Sequence, residues 1–213
     1  MTSDPWPGCR QRWLAALRLL LAACALGGAA EARAETRAPP DAAAIARGQE
    51  KYRPCIACHG DTGNAEVAGT PSLAGQPPLF ITTQLFLMRE GLRPVPVMAP
   101  FASALSDADM QDIAAFLVAQ HPAPQAGARN AALFAQGQRL ARRHNCGTCH
   151  LPSYHGQLQI PRLAGQREDY LLLAMAEYQA DARPAADTSM SAALFGLSRQ
   201  ELAALAHYLS QRR

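Results

Sequence analysis

From Ser106 to Gln120 apolar residues recur at helical spacing, with Met110, Ile113, Phe116 and Leu117 on one stripe. Ser106 is placed to cap that helix, Asp107 and Asp109 suit its positive start, and Pro122 stops it because it has no N–H to continue the ladder. A shorter helix is expected over Ile45–Tyr52, ahead of Pro54 and behind a loose, Ala- and Pro-containing lead-in at 35–43. Gly48 and Tyr52 lie four residues apart on one face of it. Gly48 would admit the Ser106–Gln120 helix at close range while Tyr52 packs beside it; the alternative is that Gly48 only weakens a marginal helix. The amino end has a different pattern: Arg10 and Arg12 precede an apolar run from Trp13 to Ala30 broken only by Arg18. Ala32-Arg33-Ala34 then offers a small-x-small site, so residues 1–34 read as an export signal. Leu21-Ala22-Ala23-Cys24 offers a second route, lipidation at Cys24. No later stretch approaches the roughly 20 apolar residues of a membrane span.

The pattern then repeats. Pro71-Ser72-Leu73-Ala74-Gly75-Gln76 recurs as Pro161-Arg162-Leu163-Ala164-Gly165-Gln166, and Arg93-Pro94 recurs as Arg183-Pro184. Further on, Met98, Leu105-Ser106 and Phe116 recur as Met190, Leu197-Ser198 and Tyr208. Two homologous domains follow, residues 35–122 and 129–213, joined by a linker at 123–128. At 49% hydrophobic and only 6% aromatic, rich in Ala and Leu, the chain is expected to be all-α. Domains this small bury too little apolar surface to be comfortable alone, so a covalently held group would complete their cores.

Each repeat carries one chemically demanding pentapeptide, Cys55-Ile56-Ala57-Cys58-His59 and Cys146-Gly147-Thr148-Cys149-His150. Two residues between the thiols match the separation of the two vinyl groups of one haem, and the adjoining His is placed under the ring by the same turn. A redox C-x-x-C or half a zinc site is the bland reading, but both copies carry the His, and no further Cys or His pair is spaced to complete a zinc site. Two haem c groups are therefore expected, held by Cys55, Cys58, Cys146 and Cys149, with His59 and His150 as axial iron ligands. The remaining cysteines, Cys9 and Cys24, lie in the presequence. A sixth ligand decides the chemistry. A thioether raises the potential, a second His lowers it, and an open position admits substrate. Met98 and Met190 follow their motif histidines at nearly equal spacing, each expected in a non-helical stretch, and are the candidates. Met88, Met110 and Met175 have no counterparts and read as core fillers. Arg93 and Arg183 are candidate partners for haem propionates or else ordinary surface arginines. His121, His144, His155 and His207 lack matched repeats and read as surface or packing residues.

C-x-x-C-H early, Pro-x-Leu after it, a lone Met later and a closing amphipathic helix resemble the class I c-type cytochromes; two units in tandem, each with Leu-Ala-Gly-Gln, resemble the two-haem periplasmic cytochrome c-four group. The resemblance implies two small all-α domains, each wrapped around one covalently attached haem, carrying single electrons between respiratory partners. The donor would be a quinol-oxidising complex or another protein, and the acceptor a haem-copper terminal oxidase or another protein. It also implies that the carbonyls of Pro71 and Pro161 receive the Nδ1 protons of the motif histidines, with Leu73 and Leu163 packing on the haem planes. Two-haem enzymes of the peroxidase or thiosulfate-oxidising kind, and a cytochrome subunit of a membrane oxidase or dehydrogenase complex, are the alternatives. Matched methionines favour the carrier. The second repeat departs after its motif, with Leu151-Pro152-Ser153-Tyr154-His155 in place of Gly60-Asp61-Thr62-Gly63-Asn64, so its haem pocket is expected to differ at the rim. Charge divides the halves: six basic residues against nine acidic ones leave −3 over 35–122, and ten against six leave +4 over 123–213. Scattered basic residues without an aromatic platform exclude nucleic acid as a partner.

Overall fold

The computed structural model describes residues 40–125, 127–183 and 188–213. The export segment, with Cys24 and the Ala32-Arg33-Ala34 site, lies outside these residues, as does Pro184. Helices account for every extended element among the described residues: α1 (Ala42–Tyr52), a 3-10 turn (Arg53–Cys55), α2 (Ile56–His59), α3 (Pro78–Arg89), α4 (Ala99–Ala102), α5 (Asp107–Val118), α6 (Ala131–Arg143), α7 (Cys146–His150), α8 (Glu168–Gln179), α9 (Ser189–Leu194) and α10 (Arg199–Ser210). A single isolated bridge, Gln157 to Ile160, is the β pairing found there. The all-α expectation holds. The first helix starts earlier than its periodicity indicates, because Asp41 caps it by accepting from the Ala43 N–H, and Ala42–Ala44 then extend it at little entropic cost.

Each repeat crosses its first long helix over its last. Gly48 lies on the backbone of α5, and Gly137 on that of α10; a Cβ at either would sit on a carbonyl oxygen, of Asp112 and of Ala204 respectively. Close approach is thus a requirement of the crossing, and glycine meets it in both halves. Tyr52 packs against Phe116 with ring centroids 5.2 Å apart. The closing helices are capped alike. Ser106 Oγ accepts from the Asp109 N–H while Asp109 Oδ2 accepts from the Ser106 N–H, and Ser198 and Glu201 repeat the arrangement. Met110 and Met175 are buried core residues, as expected.

The linker is pinned on both sides. Asn64 donates to the His121 carbonyl at 3.0 Å and accepts from the Ala123 N–H at 2.8 Å, and Gln125 donates to the Gly165 carbonyl at 3.0 Å. The two repeats also touch directly. Arg167 donates to the Ala65 carbonyl, Asp169 accepts from the Gly69 N–H, and the buried Arg162 donates to the Ala74 carbonyl at 2.7 Å.

Candidate haem sites

In the first repeat Pro54 opens the 3-10 turn, which passes directly into α2, so Cys55 and Cys58 stand one turn apart with His59 immediately after. Gly60, at φ 76°, ends that turn and donates to the Ile56 carbonyl. In the second repeat the motif fills α7, entered through Asn145 at φ 52° and left through Leu151 at φ 67°. All four motif thiols are unbridged, the second of each pair exposed and the first half-buried. Burial holds the Cys55 and Cys146 thiols above the ordinary thiol range.

Both motif histidines are buried, and each places Nδ1 against the carbonyl predicted for it: His59 on Pro71 at 3.0 Å and His150 on Pro161 at 2.9 Å. A carbonyl only accepts, so Nδ1 carries the proton and Nε2 presents its lone pair. Burial pushes both imidazoles below their usual range, and this outweighs the opposing pull of the carbonyls, so each ring is held in the neutral form that a metal ligand needs. The loop behind each histidine is closed by the same pair of backbone bonds. Gly63 and Tyr154, at φ 76° and 61°, each accept two backbone N–H groups, from Leu73 and Ala74 and from Leu163 and Ala164.

Met98 and Met190 are both half-buried, and only Met190 departs from the non-helical backbone expected of both. Met98 is the N-cap of α4, with its N–H bonded to the Val95 carbonyl at 2.9 Å, whereas Met190 is the second residue of α9. Matched spacing therefore does not mean matched secondary structure, because α9 begins one residue before its Met. Met190 packs against the core of its own repeat. Arg93 and Arg183 are not ordinary surface residues. Both Nε atoms are buried without a partner, and burial followed by the positive charge of Arg183 pushes the Arg93 pKa down. Arg183 is stacked over Tyr178 and reaches Glu177 only at 3.8 Å. His121 and His155 are exposed; His207 is buried, with Nδ1 on Glu168 at 2.9 Å and Nε2 accepting from the Asn130 N–H.

A family model described as "Cytochrome C oxidase, cbb3-type, subunit III" matches residues 43–117, and one described as "Cytochrome c" matches residues 134–213. Cytochrome c4 of Pseudomonas aeruginosa is 32% identical over 173 residues, covering 77% of this chain and 86% of that one. The chain belongs to the cytochrome c4 family. Cytochrome c4 of Thiocapsa roseopersicina is 36% identical over 167 residues, covering 73% of this chain and 85% of its own. The crystal structure of reduced recombinant cytochrome c4 from Pseudomonas stutzeri superposes with a TM-score of 0.73 at 30% identity, covering 79% of this chain and 98% of that one. A thiosulfate dehydrogenase electron acceptor from Stutzerimonas stutzeri is 41% identical over 128 residues, 55% of this chain and 59% of its own. As a cytochrome c4 the chain has two tandem class I domains and two haem c groups, and it transfers electrons to and from redox proteins.

The residues fit that cofactor. Two unbridged thiols, one neutral imidazole and one thioether in each repeat make a suitable donor set. The Nε atoms of Arg93 and Arg183 are buried without a hydrogen-bond partner, and haem propionates are carboxylates of the kind such groups pair with. What the sequence alone missed are Gln76 and Gln166. Their identical place in both copies of Leu-Ala-Gly-Gln was visible, but their direction across the repeat boundary was not.

Proposed function

We propose that this cytochrome c4 is a periplasmic carrier of single electrons between respiratory partners, passing them to a terminal oxidase. Cys55, Cys58, Cys146 and Cys149 tether the haems, and His59, Met98, His150 and Met190 bind the irons. Bound haem supplies a one-electron ferric/ferrous couple. The chain's own residues do the rest. The Pro71 and Pro161 carbonyls keep the Nδ1 protons in place, so neither histidine leaves its orientation or changes protonation when an electron arrives. A soft thioether from Met98 or Met190 favours the ferrous state and closes the position where a small substrate would bind. Arg93 and Arg183 would pair with the propionates of bound haem and add positive charge there.

The observation that carries this reading is the duplication of one His–Pro geometry, within 0.1 Å, in two repeats that each hold a matched methionine. An enzyme of this kind would need an open or reactive position at one iron, and a methionine matched in both repeats supports the carrier instead. The similarity to a thiosulfate dehydrogenase electron acceptor supports a sulfur-oxidising enzyme as one donor. Net charges of −3 and +4 on the two halves support separate docking ends, with steering weakened as salt shrinks the Debye length to about 8 Å.

The test mixes the purified holoprotein with thiosulfate or peroxide alone, then with a thiosulfate dehydrogenase or membrane oxidase preparation at rising ionic strength. Neither small molecule should turn over, and exchange with the protein partners should proceed and slow with salt. Turnover of either small molecule by the chain alone contradicts the carrier reading.

A further inference from the structure

Gln76 and Gln166 are almost fully buried, and each turns its amide into the other repeat. Gln76 accepts from the Arg162 N–H at 2.9 Å and donates to the Arg162 carbonyl at 3.0 Å. Gln166 accepts from the Ser72 N–H and donates to the Ser72 carbonyl, both at 2.8 Å. The two clasps are reciprocal, like one rung of a sheet made twice by side chains.

Their targets are not arbitrary backbone. Ser72 and Arg162 directly follow Pro71 and Pro161, whose carbonyls hold the motif histidines. One peptide unit therefore receives the His59 Nδ1 proton at its oxygen and donates its N–H to Gln166. The matching unit in the second repeat receives the His150 proton and donates its N–H to Gln76. Hydrogen bonds in series through one amide polarise each other, because donation at the N–H shifts electron density onto the carbonyl oxygen. A more electron-rich carbonyl pulls harder on the imidazole proton and makes Nε2 a stronger donor, which favours ferric iron and lowers the potential.

We propose that each domain tunes the haem of the other: Gln166 sets the donor strength of His59, and Gln76 that of His150, across the domain boundary. The glutamines are positioning residues, and the proposal rests on the histidine ligation put forward above. It couples the two redox centres through contacts that exist only while the domains are docked. Anything that separates the domains, a partner included, then raises both potentials at once.

The test uses full-length holoprotein carrying Gln166→Met or Gln76→Met, which keep length and burial but remove both cross-domain hydrogen bonds, Gln166→Met also removing the one accepted from the Arg167 N–H. Potentials are resolved for each haem, and the Nδ1 proton resonances of His59 and His150 are followed by NMR in the reduced state. Gln166→Met should raise the potential of the N-terminal haem, shifting internal electron exchange about threefold toward it, and should move the His59 proton upfield while His150 stays in place. Gln76→Met should do the mirror image. Gln166→Glu keeps the length and presents a charged acceptor to the Ser72 N–H, though as a carboxylate it gives up the bond donated to the Ser72 carbonyl; it should move the His59 proton the other way, and serves also if the Met variants lose haem. Asp169→Asn weakens another cross-domain contact without touching these peptide units and controls for a loosened interface. Effects confined to the substituted domain, equal shifts at both haems, or a match with Asp169→Asn overturn the proposal. Unmoved potentials with an intact axial-ligand spectrum overturn it and leave ligation standing; a wild-type spectrum without histidine bound to iron removes the reading beneath it.

Discussion

The two repeats solve the same crossing with different forces. In the N-terminal half α1 is tied to α5 by ion pairs, Arg47 to Asp112 at 2.8 Å and Lys51 to Asp109 at 2.6 Å, around one buried aromatic contact. In the C-terminal half aromatic rings take over. Phe134 and Tyr154 both pack edge-on against Tyr208, at 4.9 and 5.7 Å, with the Arg212 guanidinium 5.8 Å from the rings of Tyr154 and Tyr208. The same contrast explains the loop after each motif. Where the first repeat uses Gly60 and Gly63 at positive φ, the second holds Leu151 and Tyr154 in that region. A non-glycine residue there costs about 1 to 2 kcal/mol, and the burial of Tyr154 in the aromatic cluster offsets it. The backbone path is what the repeats share, and residue identity is free wherever another force can hold that path.

The largest expected effect tests what they have in common. Gly48→Ala and Gly137→Ala each drive a methyl into a backbone carbonyl, which cannot rotate away as a side chain would. Each should destabilise its own domain by about 3 kcal/mol, the upper end of ordinary overpacking costs, read as a lowered unfolding midpoint and fewer haems per exported chain. Wild-type stability in either variant would break the equivalence of the two crossings.

A smaller effect tests how they differ. Asp109 is held down to about 2, first by Lys51 and then by Ser106, and Arg47 holds Asp112 below its usual range. A depressed carboxylate contributes fully above its unfolded pKa, near 4, and the contribution fades as pH falls through that value toward 2. The carboxylates are partly covered but their Arg47 and Lys51 partners are about half exposed, so the effect is modest and screened by salt. Relative to the intrinsic exchange rate at each pH, the protection of amides in α1 and α5 should therefore fall between pH 4 and about 2, and fall again with added salt, more than that of α6 and α10. Equal responses in both halves would show that the ion pairs contribute nothing.

Much of this was legible in the sequence for a physical reason: covalent haem attachment demands fixed spacing, and capping and crossing demand particular residue types. Cys55 to His59, Cys146 to His150, Ser106, Ser198 and Gly48 could all be read in that way. Met190 was expected in a non-helical stretch and lies in α9 instead, because a six-residue helix has too few positions to show a period. Arg93 and Arg183 could not be told from surface arginines, since burial between repeats leaves no mark on local pattern. Gln76 and Gln166 are the clearest case. A polar residue looks alike in sequence whether it faces water or the backbone of another domain.

If both irons are bound by histidine and methionine, the absorption spectrum of the ferric protein will show it. Wild type should show the methionine-to-iron charge-transfer band; Met98→His and Met190→His should each remove part of it, lower the potential of one haem and leave both haems covalently attached. A ferric spectrum without that band, or a band unchanged by both substitutions, would contradict the account.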